Sequence, residues 1–267
     1  MPFTISHVAA VLPAHRLLSR WRLFTAAVIG SMVPDFGLLW PEIPGRLQTH
    51  SVTALWTFCL PVGLMAYLVV AYLIKPAVLE MLPDGAYLRV RSADATARPL
   101  GLWTWPLASV AIVLGAVTHI VWDGFTHENA RGVRMFPVLD AYGPAIDGHS
   151  VQVYRLLQHG SSLVGLLFVI AALIVWLRHA PAPAGPLPRP LRAREREVWI
   201  SLHILLPLLA LAAVVWSLHH AAFRPRPMAF AAEFVAILGM RASVVTLLLL
   251  SLLLRLRLRL FAQVGPA

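Results

Sequence analysis

The sequence predicts an all-α, polytopic integral membrane protein, a helical bundle with about five to six transmembrane helices. Three observations carry this. Hydrophobic residues make up 59% of the 267 residues and charged residues only 13%. Mean hydropathy is +0.74. Long runs without Asp, Glu, Lys or Arg recur near the ~20 residues that cross a ~30 Å hydrocarbon layer as a helix. Open backbone polar groups are not tolerated in lipid, so such runs read as helices.

Taken in chain order, "MPFTISHVAAVLPAHRLLSRWR" carries its basic residues after its apolar part and has no small-residue cleavage signal. It is not expected to be a removable signal peptide. Leu23 to Trp40 is apolar but interrupted by Pro34 and Asp35, as a span with a functional or re-entrant end would be. Ser51 to Ile74 and Leu100 to Val121 are free of Asp, Glu, Lys and Arg, and Ser161 to Leu177 and Val198 to Leu218 are similarly clean. These four are spans. Met228 to Leu254 is a further candidate that carries Glu233 and Arg241. The polar connections Lys75 to Pro99, Asp123 to Gly160 and Arg178 to Glu197 are too short to bury a separate core. Residues 1–267 therefore read as a single integral membrane domain, with 179–197 as a Pro/Arg-rich cytoplasmic linker whose run from His179 to Pro190 is expected to be extended.

Lys and Arg distribution sets the orientation, because the cytoplasmic side collects them. Alternate connections, counted with the C-terminal tail, hold twelve: Lys75, Arg89, Arg91, Arg98, Arg178, Arg189, Arg192, Arg194, Arg196, Arg255, Arg257 and Arg259. The opposite set holds six, Arg46, Arg131, Arg134, Arg155, Arg224 and Arg226. The first set is expected in the cytoplasm and the chain in the inner (plasma) membrane as a multi-pass protein, with the lipid bilayer as its partner. The net charge of +10 lies between apolar runs rather than along one polar face, which argues against nucleic acid. Nothing in the sequence fixes an oligomeric state. The single cysteine, Cys59, excludes an internal disulfide and a cysteine-rich metal cluster. Tryptophans near the span ends form an aromatic belt, and "LRLRLRLF" from Leu254 to Phe261 reads as a basic anchor for anionic lipid.

Residues of metal-ligand type gather at the non-cytoplasmic ends of these runs. Asp35 ends the first, His50 precedes the second, His119, Asp123 and His127 end the third, and His159 precedes the fourth. Helical residues four apart advance about 400°, so one helix face is expected to present His119, Asp123 and His127. Imidazole nitrogen and carboxylate oxygen suit a divalent metal, with Zn²⁺ first and iron or manganese as alternatives. A hydrolytic site of this kind leaves a position open for water. Capping or hydrogen bonding at the interface is the competing structural role. In "YRLLQHGSSLVG", Gln158 and Ser162 share a face, and Gly160, Ser161 and Gly165 allow close helix approach. Tyr154, Arg155 and Gln158 are candidates for anion contact or helix-helix hydrogen bonding.

The stretches "MPFTISHVAAVLP", "IGSMVPDF", "THS" and "HIVWDGFTH" resemble the bacterial membrane proteins grouped as domain of unknown function 4184, over most of the chain. More distantly they resemble the membrane-bound metal-dependent hydrolases. That family's pattern is echoed by His7, Pro34 with Asp35, Thr49 with His50 and Ser51, and His119, Asp123 and Thr126, while Gly132 and Pro137 match its later Gly and Pro. The chain departs from it at Gly37, where the related hydrolases carry a second acid, and at Gly45 and Arg46, where they carry His-Arg. The resemblance implies a metal-dependent hydrolase with His7 in the site, whereas a cytoplasmic start places His7 on the opposite face from Asp35. Both cannot hold. The expected substrate is lipid-linked, a phosphodiester or an ester. The rival expectation is a small transporter or assembly factor that uses the same polar residues along a pathway or between helices.

Overall fold

The computed structural model describes residues 4–39, 48–96, 101–146, 149–181, 185, 189, 191–220 and 228–264. Among them, five helices are long and apolar enough to cross a bilayer: Leu55–Met81, Thr104–Thr126, Val153–His179, Ala193–Ala213 and Ile237–Leu260. Their apolar windows are only 0% to 33% buried, and side chains such as Leu163, Val164, Leu167 and Phe168 stand exposed. Lipid is the solvent such surfaces require. The chain is an all-α, multi-pass membrane protein.

The sixth candidate is shorter than expected. Phe24–Leu38 reaches only ~22 Å at ~1.5 Å per residue, too little for a ~30 Å layer. It comprises α2 (Phe24–Met32) and a 3-10 turn at Val33–Leu39. Before it, 3-10 turns at Thr4–Ala10 and Leu12–Ala14 lead into α1 (His15–Ser19). Arg22 adopts φ +59°, with the Leu23 N–H bonded to Leu18 O at 2.9 Å and Arg22 N–H to Ser19 O at 3.1 Å. That pair of bonds is a Schellman stop with Arg22 in the left-handed position. Tyr67 donates its hydroxyl to the Arg22 carbonyl at 3.3 Å and fixes the reversal. Residues 4–39 are thus a helical hairpin rather than one span, and a half-length hairpin returns Asp35 to the level of His7.

Residue contacts divide the chain into two compact units, Met1–Tyr67 with Ala93–Ala180, and Leu68–Ser92 with Pro181–Ala267. In the first, α2 packs on α6 (Thr104–Thr126) at backbone contact. A Cβ on Gly30 would lie 2.2 Å from Ile112 O, and one on Gly115 would lie 2.4 Å from Ala27 O. Ala26, Ala27, Ala108, Ala111 and Ala116 complete the small-residue seam, each buried, as close helix approach in lipid demands. Beside it, Val33, Leu55, Cys59 and Ala116 form a core cluster with Phe36, Phe58, Val62 and Ile120. The N-terminal 3-10 turn crosses α8 (Val153–His179) at Gly165, whose Cβ would sit 3.0 Å from Ser6 O. Gly160, expected to share this role, faces open space.

Several expected connections contain structure. The Leu55 helix runs on through α3 (Leu60–Val69) and α4 (Lys75–Met81), and the π-helical turn Val70–Ile74 precedes Pro76. A wider turn there accommodates a residue with no N–H to donate, so the helix continues past Lys75 and Pro76. A polar helix α5 (Asp84–Thr96) follows. Between Asp123 and Gly160 lie the last turn of α6, the short α7 (Arg131–Met135), a 3-10 turn at Pro137–Leu139 and a hairpin of β1 (Tyr142–Ile146) with β2 (His149–Gln152). The hairpin is antiparallel, with Ile146 opposite His149 and Tyr142 opposite Gln152, and its register shifts between Tyr142 and Ala145. Pro144 falls at that irregularity, where a missing donor is tolerated. The helix α8 begins at Val153, before the apolar run, because Tyr154 and Ser162 on it face protein.

In the second unit, α9 (Ala193–His220) pairs with α10 (Met228–Val264), with Leu211 against Gly239. Ala77, Leu191 and Leu254 form its core beside Trp199 and Leu258. Of the 179–197 linker, α9 takes Ala193 onward, and most of the run expected to be extended, at residues 182–184, 186–188 and 190, lies outside the described residues. Its Arg189 stacks 3.9 Å over the Tyr87 ring, pairs with Asp84 and donates to Leu82 O at 2.7 Å. Arg196, with Arg189, holds the Asp84 carboxyl below the usual carboxylate range. Glu195 pairs with Arg257 of the basic tail.

The seam yields a prediction. Gly115→Val places methyl groups inside the α2 backbone, so the purified variant is expected to lose its monodisperse size-exclusion peak in detergent and its protease resistance. Gly160→Ala, which meets nothing within 4 Å, is expected to behave as wild type; equal behaviour of the two variants would show that the crossing does not hold the fold.

Candidate metal centre

Side chains from three stretches meet at one end of the α2–α6 pair. Asp35 comes from the 3-10 turn after α2, His50 from the residues before Leu55, and His119 and Asp123 from the end of α6. One ligand-type atom from each lies within 4.8 Å of the others. His119 is fully buried, and Asp35 and Asp123 are 5% and 3% exposed.

Local chemistry orients each group. Thr4 donates its hydroxyl to Asp35 Oδ2 at 2.7 Å. Thr49 Oγ1 lies 2.8 Å from His50 Nδ1, while Ser51 Oγ accepts the Ala54 N–H at 3.1 Å and caps the following helix. In the Thr49-His50-Ser51 motif, the outer residues therefore hold the histidine ring and start the span. His119 donates Nδ1–H to the Ser31 carbonyl at 2.7 Å. A carbonyl can only accept, so this bond fixes the proton on Nδ1 and leaves a lone pair on Nε2 in the neutral ring.

That lone pair faces acceptors. His119 Nε2 lies 3.5 Å from Asp35 Oδ1 and 3.3 Å from Asp123 Oδ2. His50 Nε2 lies 3.3 Å from Asp35 Oδ1 and 3.4 Å from Asp123 Oδ2. These separations are long for hydrogen bonds, and Asp35 Oδ1, His50 Nε2 and His119 Nε2 are buried without a hydrogen-bond partner. Buried acceptors turned on one another are costly unless a cation lies between them or a ring takes a second proton. A tetrahedral ion with ligands at ~2.0–2.2 Å has ligand-ligand edges of ~3.3–3.6 Å. The four His-Asp separations fall in that interval, and the set as a whole is wider, at up to 4.8 Å. The donor set of two imidazole nitrogens and two carboxylate oxygens fits a divalent ion such as Zn²⁺.

Two further histidines address the other oxygen of Asp123. His7 Nε2 lies 3.5 Å from Asp123 Oδ1, with its ring stacked 3.8 Å from that of His119 and edge-on to Trp122. Burial lowers the His7 pKa to about 4, so His7 is neutral at pH 7. His7 reaches this level because the first apolar run does not span, which removes the conflict between a cytoplasmic start and a place in the site. His127 Nδ1 lies 3.4 Å from Asp123 Oδ1, but not by helical spacing. The α6 helix ends at Thr126, and His127 is extended at φ −128°, ψ 146°, so the expected common face of His119, Asp123 and His127 stops at Asp123. The amide of Gln158 holds His127 Nε2 at 2.8 Å. His159, one residue on, is exposed on α8 and lies outside the group.

The departures from the hydrolase pattern have structural counterparts. A Cβ on Gly37 would lie 2.8 Å from Thr49 Cγ2, so the room for a second acid is taken by the residue that holds His50. Gly45 and Arg46 lie outside the described residues. Thr4 and the Ser31 carbonyl carried no signal of their own in the sequence. A backbone carbonyl has no sequence signature, and Thr4 is marked only by its place three residues before His7. Tyr154 is buried and accepts from Arg155 Nε at 3.1 Å.

A cavity of about 550 Å³ opens on His50 and Asp123 and is also lined by Ile120, Glu128, Arg131 and Arg134. It adjoins the cluster through His50 and Asp123. Purified protein is expected to carry a divalent ion that His119→Ala and Asp123→Asn each remove, while His159→Ala retains it. Ligation requires neutral imidazoles and ionised carboxylates, so the ion is expected to be held at pH 7.5 and released as the pH falls below about 6, returning on neutralisation in the presence of metal. Elemental analysis of dialysed samples reads both; unchanged content in His119→Ala would remove the centre.

No curated protein and no solved structure matches this chain. A family profile matches it over residues 1–253, which contain every residue of the cluster. The chain belongs to the family described as domain of unknown function DUF4184.

Proposed function

We propose that this protein is a membrane-embedded, metal-dependent hydrolase that works at the non-cytoplasmic face of the bacterial inner membrane on a lipid-linked phosphodiester or ester. The observation that carries the reading is the convergence of two imidazole nitrogens and two carboxylate oxygens within 4.8 Å of one another, a set wider than the ~3.3–3.6 Å edges of a closed tetrahedral site and so one with room for a coordinated water. Asp35, His50, His119 and Asp123 would hold the ion, with zinc as the expected metal. Such an ion supplies Lewis acidity and brings the pKa of coordinated water toward ~7.

The protein's own groups would do the rest. Hydrolysis adds hydroxide to phosphorus or acyl carbon and a proton to the leaving oxygen. Asp123 Oδ1 is turned toward His7 and His127, which orient the carboxylate, and a carboxylate not engaged by the metal would take the proton that water gives up. With the Gln158 amide donating to Nε2, His127 keeps its own proton on Nδ1, against that oxygen. The cavity admits substrate on the His50 and Asp123 side, while burial of His119 and Asp35 excludes bulk water from the opposite side. The cluster lies toward the end of a helix long enough to span, where a lipid headgroup would meet protein, and the Lys and Arg distribution supports an outside location for that end.

Transport would call for polar groups spread through the spans. In the first unit the buried polar and charged residues, Ser6, His7, Ser31, Asp35, Thr49, His119, Asp123, Thr126 and Ser162, belong to the cluster or flank it. Full-length protein in detergent, supplied with Zn²⁺ or Mn²⁺, is expected to release nitrophenol from a nitrophenyl phosphodiester or ester. Asp35→Asn and His119→Ala are expected to lower kcat by about 100-fold or more. A wild-type protein that retains its ion yet cleaves neither class would overturn the hydrolase reading and leave a non-enzymatic metal site.

A further inference from the structure

The cavity beside the cluster has a second wall that the hydrolase reading does not use. Arg131 and Arg134, on α7, line it together with His50 and Asp123. Among the described residues neither guanidinium makes an ion pair or a hydrogen bond, whereas Arg155, Arg189, Arg196 and Arg257 are each paired with a carboxylate. Glu128, the other charged residue on that wall, faces Arg155 at 3.9 Å.

The position of these two arginines is built into the fold. Asn129 takes φ +58° and the Ala130 N–H bonds to His127 O at 3.1 Å, so the chain reverses directly after the site. Gly132 then packs on the end of α6. A Cβ there would lie 2.7 Å from Gly124 O and 2.7 Å from Phe125 Cδ1. Glycine at 132 thus lets α7 lie on the helix that carries Asp123, and residues 131 and 134 flank it over the cavity. Past Arg134, on a segment outside the spanning helices, Met135, Phe136 and Val138 are 73%, 49% and 66% exposed. Free guanidiniums followed by an exposed apolar lip match a ligand with an anionic head and a hydrocarbon tail.

We infer that Arg131 and Arg134 form a subsite for the phosphate of a lipid headgroup, which, resting on the hydrolase reading, makes the substrate a phosphate-bearing lipid rather than a neutral lipid ester. Guanidinium binds a phosphodiester through charge-assisted, bidentate hydrogen bonds, and a neutral ester offers no charge for it. Asp123 and His50 line the same cavity, so a phosphate held there would lie beside the cluster.

Binding is measured on metal-free, full-length protein in neutral detergent, so that it does not depend on catalysis. The probes are dioctanoyl phosphatidylglycerol, dioctanoylglycerol and glycerol phosphate, followed by native mass spectrometry. Wild type is expected to bind the phospholipid about tenfold more tightly than the neutral lipid, and R131Q/R134Q is expected to lose that preference. R131K/R134K is expected to restore part of it, since charge is kept and the bidentate fork is lost. Glycerol phosphate is expected to bind weakly; if it binds as tightly as the phospholipid, the site is one for soluble phosphate and the lipid assignment falls. Equal affinity of wild type and R131Q/R134Q for phosphatidylglycerol, or equal affinity of wild type for the two lipids, overturns the subsite. Arg134→Gln alone serves if the double variant aggregates. His119→Ala is expected to lose the ion and keep the phospholipid preference, so failure of the metal centre and failure of the subsite give different results.

Discussion

The backbone contact between α2 and α6 is the constraint on which the rest of the first unit depends. With Gly30 against the Ile112 carbonyl and Gly115 against Ala27, the two helices approach more closely than any side chain permits. That approach brings the Ser31 carbonyl within 2.7 Å of His119 Nδ1, and the same turn of chain delivers Asp35 to His119 Nε2. In lipid no hydrophobic force draws helices together, so packing of small residues and buried hydrogen bonds must do so. Structure and site therefore share one seam.

The cluster is held as an electrostatic problem with a specific solution. Each histidine in the four-residue group has its Nδ1 engaged by a neighbour, Ser31 for His119 and Thr49 for His50, so both Nε2 atoms turn inward on carboxylates. Partners outside the ligand set usually fix the tautomer and angle of metal-binding imidazoles in this way. Thr4 does the same for Asp35, and His7 and His127 for the outer oxygen of Asp123. The N-terminal hairpin, too short to span, is what brings Thr4 and His7 to that level. A half-length helix is tolerated inside a membrane where surrounding protein satisfies it.

Much of this was legible in the chain, and the parts that were not share a cause. Absence of charge over helical lengths marked the long spans, because the cost of charge in hydrocarbon leaves a direct trace in composition. Asp35, His50, His119 and Asp123 stood out because ionisable residues at span ends are few. His127 was found by its i, i+4 spacing, yet its place comes from the turn that follows the helix. Gln158, a candidate for helix-helix hydrogen bonding, reaches from α8 to His127 just past the end of α6. Arg131 and Arg134 entered the sequence only as charges to be counted. Their placement over the cavity rests on the left-handed Asn129 and on Gly132, whose role appears only when Gly124 and Phe125 are seen beneath it.

The sequence by itself determined that the chain is a multi-pass helical membrane protein with acidic and imidazole groups concentrated at the ends of its apolar runs, since both properties are written in local composition and spacing. Tertiary structure alone decided that His7 joins Asp35, that His127 leaves the helix, that position 37 has no room for a second acid, and that His159 stays outside. Those outcomes depend on how closely backbones approach and where the chain reverses, which are properties of pairs of segments far apart in the sequence.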